Sequence, residues 1–315
     1  MFSVSCQSLK YEDAYPIQFD ELSKPDGQFE KFEFEGQHLA YYDSKKENDG
    51  KVLLLLHGLG EHAGYWRVTT QALAQRHRVI TVDLMGHGRS SKPAEKHFYS
   101  LKNQGEILSA LLKHLSIKNV FLVGHSMGGQ IAMHMALNHP DQINHLILLC
   151  PAGIEAFTAG EGQWLKDNSK PEGFESRDEG ALRAHFQKYV FGKWSPEAEH
   201  HLAERVKLKK AQDFKAYTKA VVASIYAMID EPVRNRLAQL AMPTTVIFGL
   251  SDALIPNRLL HTGGVEDILE ETKKLIPKAH VIEMKGIGHM IQIEAIEDTN
   301  RILSQIVSLD KNQAP

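Results

Sequence analysis

Asn119–Pro140 reads NVFLVGHSMGGQIAMHMALNHP. Val120 to Val123 is an apolar run with the length and β-branching of a buried strand. Ile131, Met135 and Ala136 follow at the spacing of one helical face. Between strand and helix lies Gly124-His125-Ser126-Met127-Gly128, a G-x-S-x-G sequence. A strand, a sharp turn and a helix are the context in which this motif lifts a serine hydroxyl to the C-terminal edge of a sheet. The two glycines remove Cβ atoms that would collide with neighbouring backbone in so tight a turn. The same turn leaves the Met127 N–H at a helix N-terminus, where donors are free and negative charge is favoured.

Outward from this stretch the chain keeps a regular beat. Lys51 to His57 (KVLLLLH) is continuously apolar, so both faces of that strand must be covered, as in a parallel sheet under helices. Gly64 to Arg76 reads as a helix, Arg78 to Leu84 as a strand, Tyr99 to Leu115 as a helix and His145 to Cys150 as a further buried strand. This predicts an α/β fold with a doubly wound, mostly parallel sheet. Upstream, alternation around Phe32, Phe34, Gly36, Leu39 and Tyr41 predicts a hairpin within Phe29–Asp43. Residues 1–27 read as a loosely held N-terminal extension. After Pro151 the beat stops, and residues 152–240 carry helical spacing, as in Pro196–Lys210 and Phe214–Ile229, with no strand-like run. It resumes with a strand at Thr244–Phe248, a helix at Val265–Leu275, a strand at His280–Met284 and a helix at Ile291–Leu309. The expected division is a core of residues 28–151 and 241–315, interrupted by a helical segment over 152–240.

The totals exclude several classes of function. The 315 residues suffice for one large domain or a core with an insertion, and 43% hydrophobic with 24% charged residues is an ordinary globular composition. A net charge of −3 gives no electrostatic case for nucleic acid. The apolar runs are strand-sized, short of the roughly 20 residues of a transmembrane helix. Met1–Asp20 lacks the basic start and apolar block of a secretory signal, and Cys6 and Cys150 make no disulfide framework, so a cytoplasmic location is expected. The 17 histidines form no metal-ligand spacing, and no metal is expected.

A serine hydroxyl becomes a nucleophile only with a base in reach and a third group to hold that base's tautomer. Leu122–Gly129, LVGHSMGG, resembles the nucleophile elbow of the α/β-hydrolase superfamily. In that fold the partners follow in the order serine, acid, histidine. His289 fits the last, on the glycine-flanked loop Gly286-Ile287-Gly288-His289 after the final strand. Asp252 fits the acid, because Gly249, Asp252 and Pro256 match the superfamily pattern G-x-x-D-x-x-x-P. Some relatives place the acid after the preceding core strand, where the first carboxylate here is Glu155. The family pattern gives the oxyanion donors as the N–H groups of Leu59 and Met127, with His57 bracing the loop. The resemblance also implies that residues 152–240 form a helical cap. The run HGLGEHAGYW (His57–Trp66) resembles, more narrowly, the monoacylglycerol lipase and lysophospholipase branch. Ser126, in place of an aspartate nucleophile, argues against dehalogenases and epoxide hydrolases.

These residues together read as a serine hydrolase of carboxylic esters, a carboxylesterase or monoacylglycerol lipase-like enzyme needing no cofactor. The substrate is a small-molecule ester or lipid, with no nucleic-acid partner and no transmembrane segment; contact with a membrane surface through the cap stays open. A carbon–carbon bond hydrolase or aminopeptidase with the same three residues, and a non-catalytic ligand-binding protein of the same fold, are the alternatives.

Overall fold

Strands whose every residue is apolar can sit only in the middle of a covered sheet, and here they do. The computed structural model describes residues 21–45 and 51–308. β1 (Phe29–Phe34) and β2 (Gln37–Asp43) form an antiparallel hairpin in which Phe34 pairs with Gln37. Glu35 and Gly36 both take positive φ, 49° and 73°, the two-residue turn whose twist matches the strands it joins. β3 (Val52–Leu56) is wholly buried. A short 3₁₀ turn at Ala63–Trp66 then leads into α1 (Arg67–Leu73), β4 (Arg78–Asp83) and α2 (Leu101–His114). β5 (Val120–His125), also wholly buried, leads into α3 (Met127–Asn138) and β6 (Ile143–Leu149).

Between β6 and β7 the chain is helical: α4 (Ala159–Asn168), α5 (Pro171–Glu175), α6 (Glu179–His185), one π-helical turn at Phe186–Val190, α7 (Pro196–Leu208) and α8 (Phe214–Asp230). β7 (Thr244–Gly249), α9 (Val265–Leu275), β8 (His280–Met284), α10 (Ile291–Glu294) and α11 (Ile296–Ser308) complete the chain. The eight strands lie in the order β1-β2-β4-β3-β5-β6-β7-β8, parallel from β4 to β8. The β3 register sets Leu54 between Ile80 and Leu122, so three apolar strands share one row. No helix among the described residues is long and apolar enough to cross a membrane.

Four features depart from the sequence reading. The expected helix at 64–76 begins as a 3₁₀ turn. α3 is buried on all sides from Met127 to Ala136, not on one face. It lies against the sheet and α2, and the helical segment covers its outer side: Gln130 Nε2 donates to the Met228 and Glu231 carbonyls at 3.0 and 3.1 Å. The last helix is broken at Ala295, whose backbone leaves the helical region at φ −129°, ψ 52°. The described end of the N-terminal extension is packed rather than loose: Leu22 is buried against Leu208, Phe214 and Tyr217, and the Ser23 N–H donates to Glu204 at 2.6 Å. Residues 1–20 of that extension, with Cys6, lie outside the described residues.

The helical insertion docks through two apolar clusters of its own. Leu182, Phe186, Phe191, Ala198 and Leu202 pack with Tyr65, Met290 and Ile293 from the loops at the sheet's C-terminal edge. Leu208, Ala211, Phe214, Tyr217 and Val221 pack around Leu22. Burying each leucine, valine or phenylalanine among them contributes roughly 1.5–3 kcal/mol, which holds the insertion over that edge.

Backbone packs closely where α3 starts against β5 and the end of β3. A Cβ on Gly124 would lie 2.4 Å from the Gly128 carbonyl oxygen, and one on Gly128 would lie 2.5 Å from that of His57 and 2.7 Å from that of Leu56. Both obstacles are backbone and cannot swing away. Gly128→Ala therefore is expected to destabilise the fold by about 1–3 kcal/mol, read as a lower urea midpoint. An unchanged midpoint would show that α3 can move off β3.

Candidate active site

Each of the three candidate residues stands just after the C-terminal end of a parallel strand, the edge at which open α/β sheets bind ligands. Ser126 follows β5 with φ 53° and ψ −120°, a conformation L-residues rarely adopt. Its N–H donates to the Leu149 carbonyl at 3.0 Å, and its carbonyl accepts from Gly129 at 2.9 Å and Ala152 at 3.1 Å. Those bonds hold the strained turn at both its N–H and its carbonyl.

Asp252 follows β7 and His289 follows β8. His289 Nδ1 donates to Asp252 Oδ2 at 2.7 Å. The other carboxylate oxygen accepts the N–H groups of Leu254 and Ile255 at 2.8 and 3.0 Å. Burial alone would drive the Asp252 pKa up, but His289 and those two donors outweigh it and hold the pKa below its ordinary value. Burial likewise pushes His289 down, and the Asp252 charge and hydrogen bond outweigh it, so its pKa lies above the ordinary 6.5. With Nδ1 committed to Asp252, Nε2 is the nitrogen left to act as a base. Ser126 and His289 line one cavity, and no hydrogen bond joins their side chains in the resting structure.

The rival acid, Glu155, is engaged elsewhere. It accepts from Asn257 N–H at 2.7 Å and lies 2.6 Å from His261 Nδ1. His57 also lies outside the chemistry: its Nε2 accepts the Leu84 N–H at 3.0 Å and its Nδ1 donates to the Gly58 carbonyl at 2.8 Å. It ties the loop after β3 to the loop after β4.

That loop carries Leu59, which lines the cavity. Gly58 N–H donates to Glu61 Oε2 at 2.9 Å, and Glu61 N–H donates to the Gly58 carbonyl at 3.3 Å. Among the described residues nothing takes the N–H of Leu59, nor that of Met127 at the start of α3. Met127 adjoins Ser126 in the chain, and Leu59 lines the cavity that Ser126 lines.

The sequence reading missed the supports. Glu61 is buried 3.2 Å from His125 Nδ1, and His125 Nε2 donates to the His289 carbonyl at 3.0 Å. Burial raises the Glu61 pKa, but His125 and the Gly58 N–H outweigh that and bring it to about 2. One Glu–His pair thus links the loop after β3 to the histidine loop. The helical insertion grips the same loop: His289 N–H donates to the Val190 carbonyl at 3.2 Å, and Glu294 accepts the N–H groups of Gly288 and Lys193 at 3.1 and 2.8 Å. Glu61 in Gly-Glu-His and His125 in Gly-His-Ser were both visible in the sequence, but nothing there placed them in contact.

Cys150, Asp252 and His289 present donor atoms within 4.8 Å of one another. This set fits a metal poorly. Burial pushes the Cys150 thiol well above its ordinary pKa, so it offers a neutral thiol, and the Asp252 oxygen facing His289 already takes the Nδ1 proton.

The cavity holding Ser126 and His289 measures about 830 Å³ and is walled jointly by the sheet edge and the insertion. Residues 51–296 match a family model described as alpha/beta hydrolase fold. The chain belongs to the α/β-hydrolase fold family. It is 31% identical over 221 residues to the pimeloyl-[acyl-carrier protein] methyl ester esterase of Vibrio cholerae, spanning 67% of this chain and 79% of that protein. It is 29% identical over 259 residues to Lipase 1 of Psychrobacter immobilis, spanning 79% of this chain and 74% of that one. A solved structure of a probable hydrolytic enzyme from Pseudomonas aeruginosa matches with a TM-score of 0.83 and 28% identity, over 94% of this chain and 99% of that one. A more local match, 40% identical over 105 residues to an uncharacterized protein of Mycobacterium tuberculosis, spans 33% of this chain and 30% of that protein.

For this member of the family the Asp252 charge decides the titration of His289. In Asp252→Asn the opposing charge is gone and burial dominates, so the His289 midpoint is expected to fall below 6.5 in an NMR titration of the ring protons. A midpoint that stays above 6.5 would show that another group sets it.

Proposed function

We propose that this protein is a serine hydrolase of carboxylic esters, with Ser126 as nucleophile, His289 as general base and acid, and Asp252 as the group that orients and stabilises the histidine. The observation that carries this reading is the buried 2.7 Å bond from His289 to Asp252 on the cavity that also holds Ser126. Ser126 Oγ attacks the ester carbonyl as His289 Nε2 takes its proton. The oxyanion is received by the N–H groups of Leu59 and Met127. The tetrahedral intermediate collapses, and the alcohol leaves with the proton from His289. Water, deprotonated by the same nitrogen, then releases the acid from Ser126. The helical insertion acts as the cap, and its Phe157, Phe186, Phe191 and Tyr217 line the cavity beside Leu165, Ile225 and Ile229. Their apolar surface suits an acyl chain, each buried methylene of which contributes about 0.8 kcal/mol. Relatives named as an esterase and a lipase support the ester class.

Two measurements test this. A fluorophosphonate probe is expected to label the wild type and not Ser126→Ala, whose kcat on p-nitrophenyl esters falls by about 10⁴-fold or more. Labelling that survives the substitution would move the nucleophile elsewhere. The pH profile follows from the sign of the His289 shift. Only the neutral ring accepts the serine proton, and its pKa is raised, so kcat/KM is expected to climb with pH through a midpoint above 6.5. A midpoint at or below 6.5 would contradict a base paired with Asp252.

A further inference from the structure

Charge in the cavity is unevenly matched. Its carboxylates are all engaged: Glu61 with His125 and the Gly58 N–H, Glu155 with His261 and the Asn257 N–H, and Asp230 with Lys166. Arg234 is paired with Glu271. Three cavity-lining cations remain, Arg177 between α5 and α6, Arg205 on α7, and Lys209 just past its end. Among the described residues no carboxylate comes within ion-pairing distance of any of them.

Each is also half-buried and held in place. The Arg205 guanidinium donates to the Gly60 carbonyl and the Tyr217 hydroxyl. Lys209 Nζ donates to the Arg177 carbonyl. The Arg177 guanidinium lies over the Phe174 ring, 5.3 Å from its centroid, and no described acceptor takes its N–H groups. Burial lowers the Arg177 pKa and the Arg205 charge lowers it further, so the two guanidiniums sit close enough to repel. His185, on the same wall, is pushed down to about 4 by burial and by both arginines, and is neutral at pH 7. Burial also lowers the Arg205 pKa, but Tyr217, Tyr65 and Glu61 outweigh it and hold it above its ordinary value, so the repulsion is felt at Arg177.

Resting on the ester-hydrolase reading above, we propose that Arg177, Arg205 and Lys209 form an anion-binding subsite in the cap, and that the natural substrates are esters bearing a phosphate or carboxylate group. Guanidinium groups bind such oxyanions through paired, charge-assisted hydrogen bonds. The position fits the reaction. Arg205 is bonded to Gly60, the residue after Leu59, so the cationic end of the cavity adjoins the loop that would receive the oxyanion. The charged group of the substrate would lie near the scissile ester, and the aliphatic residues of α4 and α8 would take the chain.

Binding and turnover are tested separately. Hexyl phosphate, hexanoate and hexanol are titrated into Ser126→Ala by calorimetry at low ionic strength. At least one of the two anions is expected to bind about tenfold or more tightly than hexanol, with affinity that falls as salt is added. Arg177→Gln and Lys209→Gln, each added to Ser126→Ala, are expected to weaken that binding by about tenfold. Tighter binding of the phosphate points to a phosphorylated substrate, and of hexanoate to a carboxylated one. In the wild type, the kcat/KM ratio of mono-p-nitrophenyl adipate to p-nitrophenyl hexanoate is measured, and where hexanoate is the anion bound, Arg177→Gln is expected to lower it about tenfold. Anions that bind no better than hexanol, or binding unchanged in both lysine and arginine variants, would overturn the subsite while ester turnover stands. Arginine-dependent anion binding in a protein that hydrolyses no ester would overturn the reaction and leave the subsite.

Discussion

Ser126 is held at φ 53° by a turn that only its neighbours make affordable. A residue in such a conformation costs about 1–3 kcal/mol, and persists only where surrounding structure over-determines it. Here the determination is steric and polar together. The missing Cβ atoms of Gly124 and Gly128 let α3 start against the backbone of β3, and the Leu149, Gly129 and Ala152 backbone groups hydrogen-bond the serine from both sides. The buried strands β3, β5 and β6 supply the rigid frame against which that strain is balanced. The direction of the serine side chain, the free N–H of Met127 and the opening of the cavity all follow from this one turn.

The second constraint is that the helical insertion is bonded to the machinery as well as packed over it. Val190 accepts the His289 N–H, while Arg205 and Tyr217 both bond the Gly60 carbonyl, the latter at 2.7 Å. The histidine loop and the loop carrying Leu59 are therefore each pinned by the segment that also shapes the cavity. The Glu61–His125 pair crosses between the same two loops from below. An insertion that shifted would therefore carry the loops of His289 and Leu59 with it.

Much of this was legible in the sequence, for identifiable reasons. Strand periodicity, a continuous apolar run and glycines at fixed offsets are local signals, and they located β3, β5, α9 and β8 to within a residue or two. The placing of Ser126, Asp252 and His289 after strands was legible, and the parallel order brings successive strand ends to one edge. Helix ends were less legible: the 3₁₀ start before α1 and the bend at Ala295 depend on contacts with distant loops. α3 looked one-sided because its outer, more polar face, with Gln130 and His134, is covered by a segment nearly a hundred residues away.

The sequence by itself determined the sheet, the turn at Ser126 and the order of the candidate residues, since covalent neighbours and a fixed period dictate those. The pattern Gly249, Asp252, Pro256 favoured Asp252 over Glu155, but only the tertiary structure showed the contact, with Asp252 2.7 Å from His289 and Glu155 engaged by His261 and Asn257. The tertiary structure also decided the charge of the cavity. Glu61, Glu155 and Asp230 on one side of the ledger and Arg177, Arg205 and Lys209 on the other are indistinguishable as letters in a chain of net charge −3. Pairing is a matter of a few ångströms between residues far apart in sequence, and the fold brings the carboxylates to other partners and leaves the three cations facing the cavity.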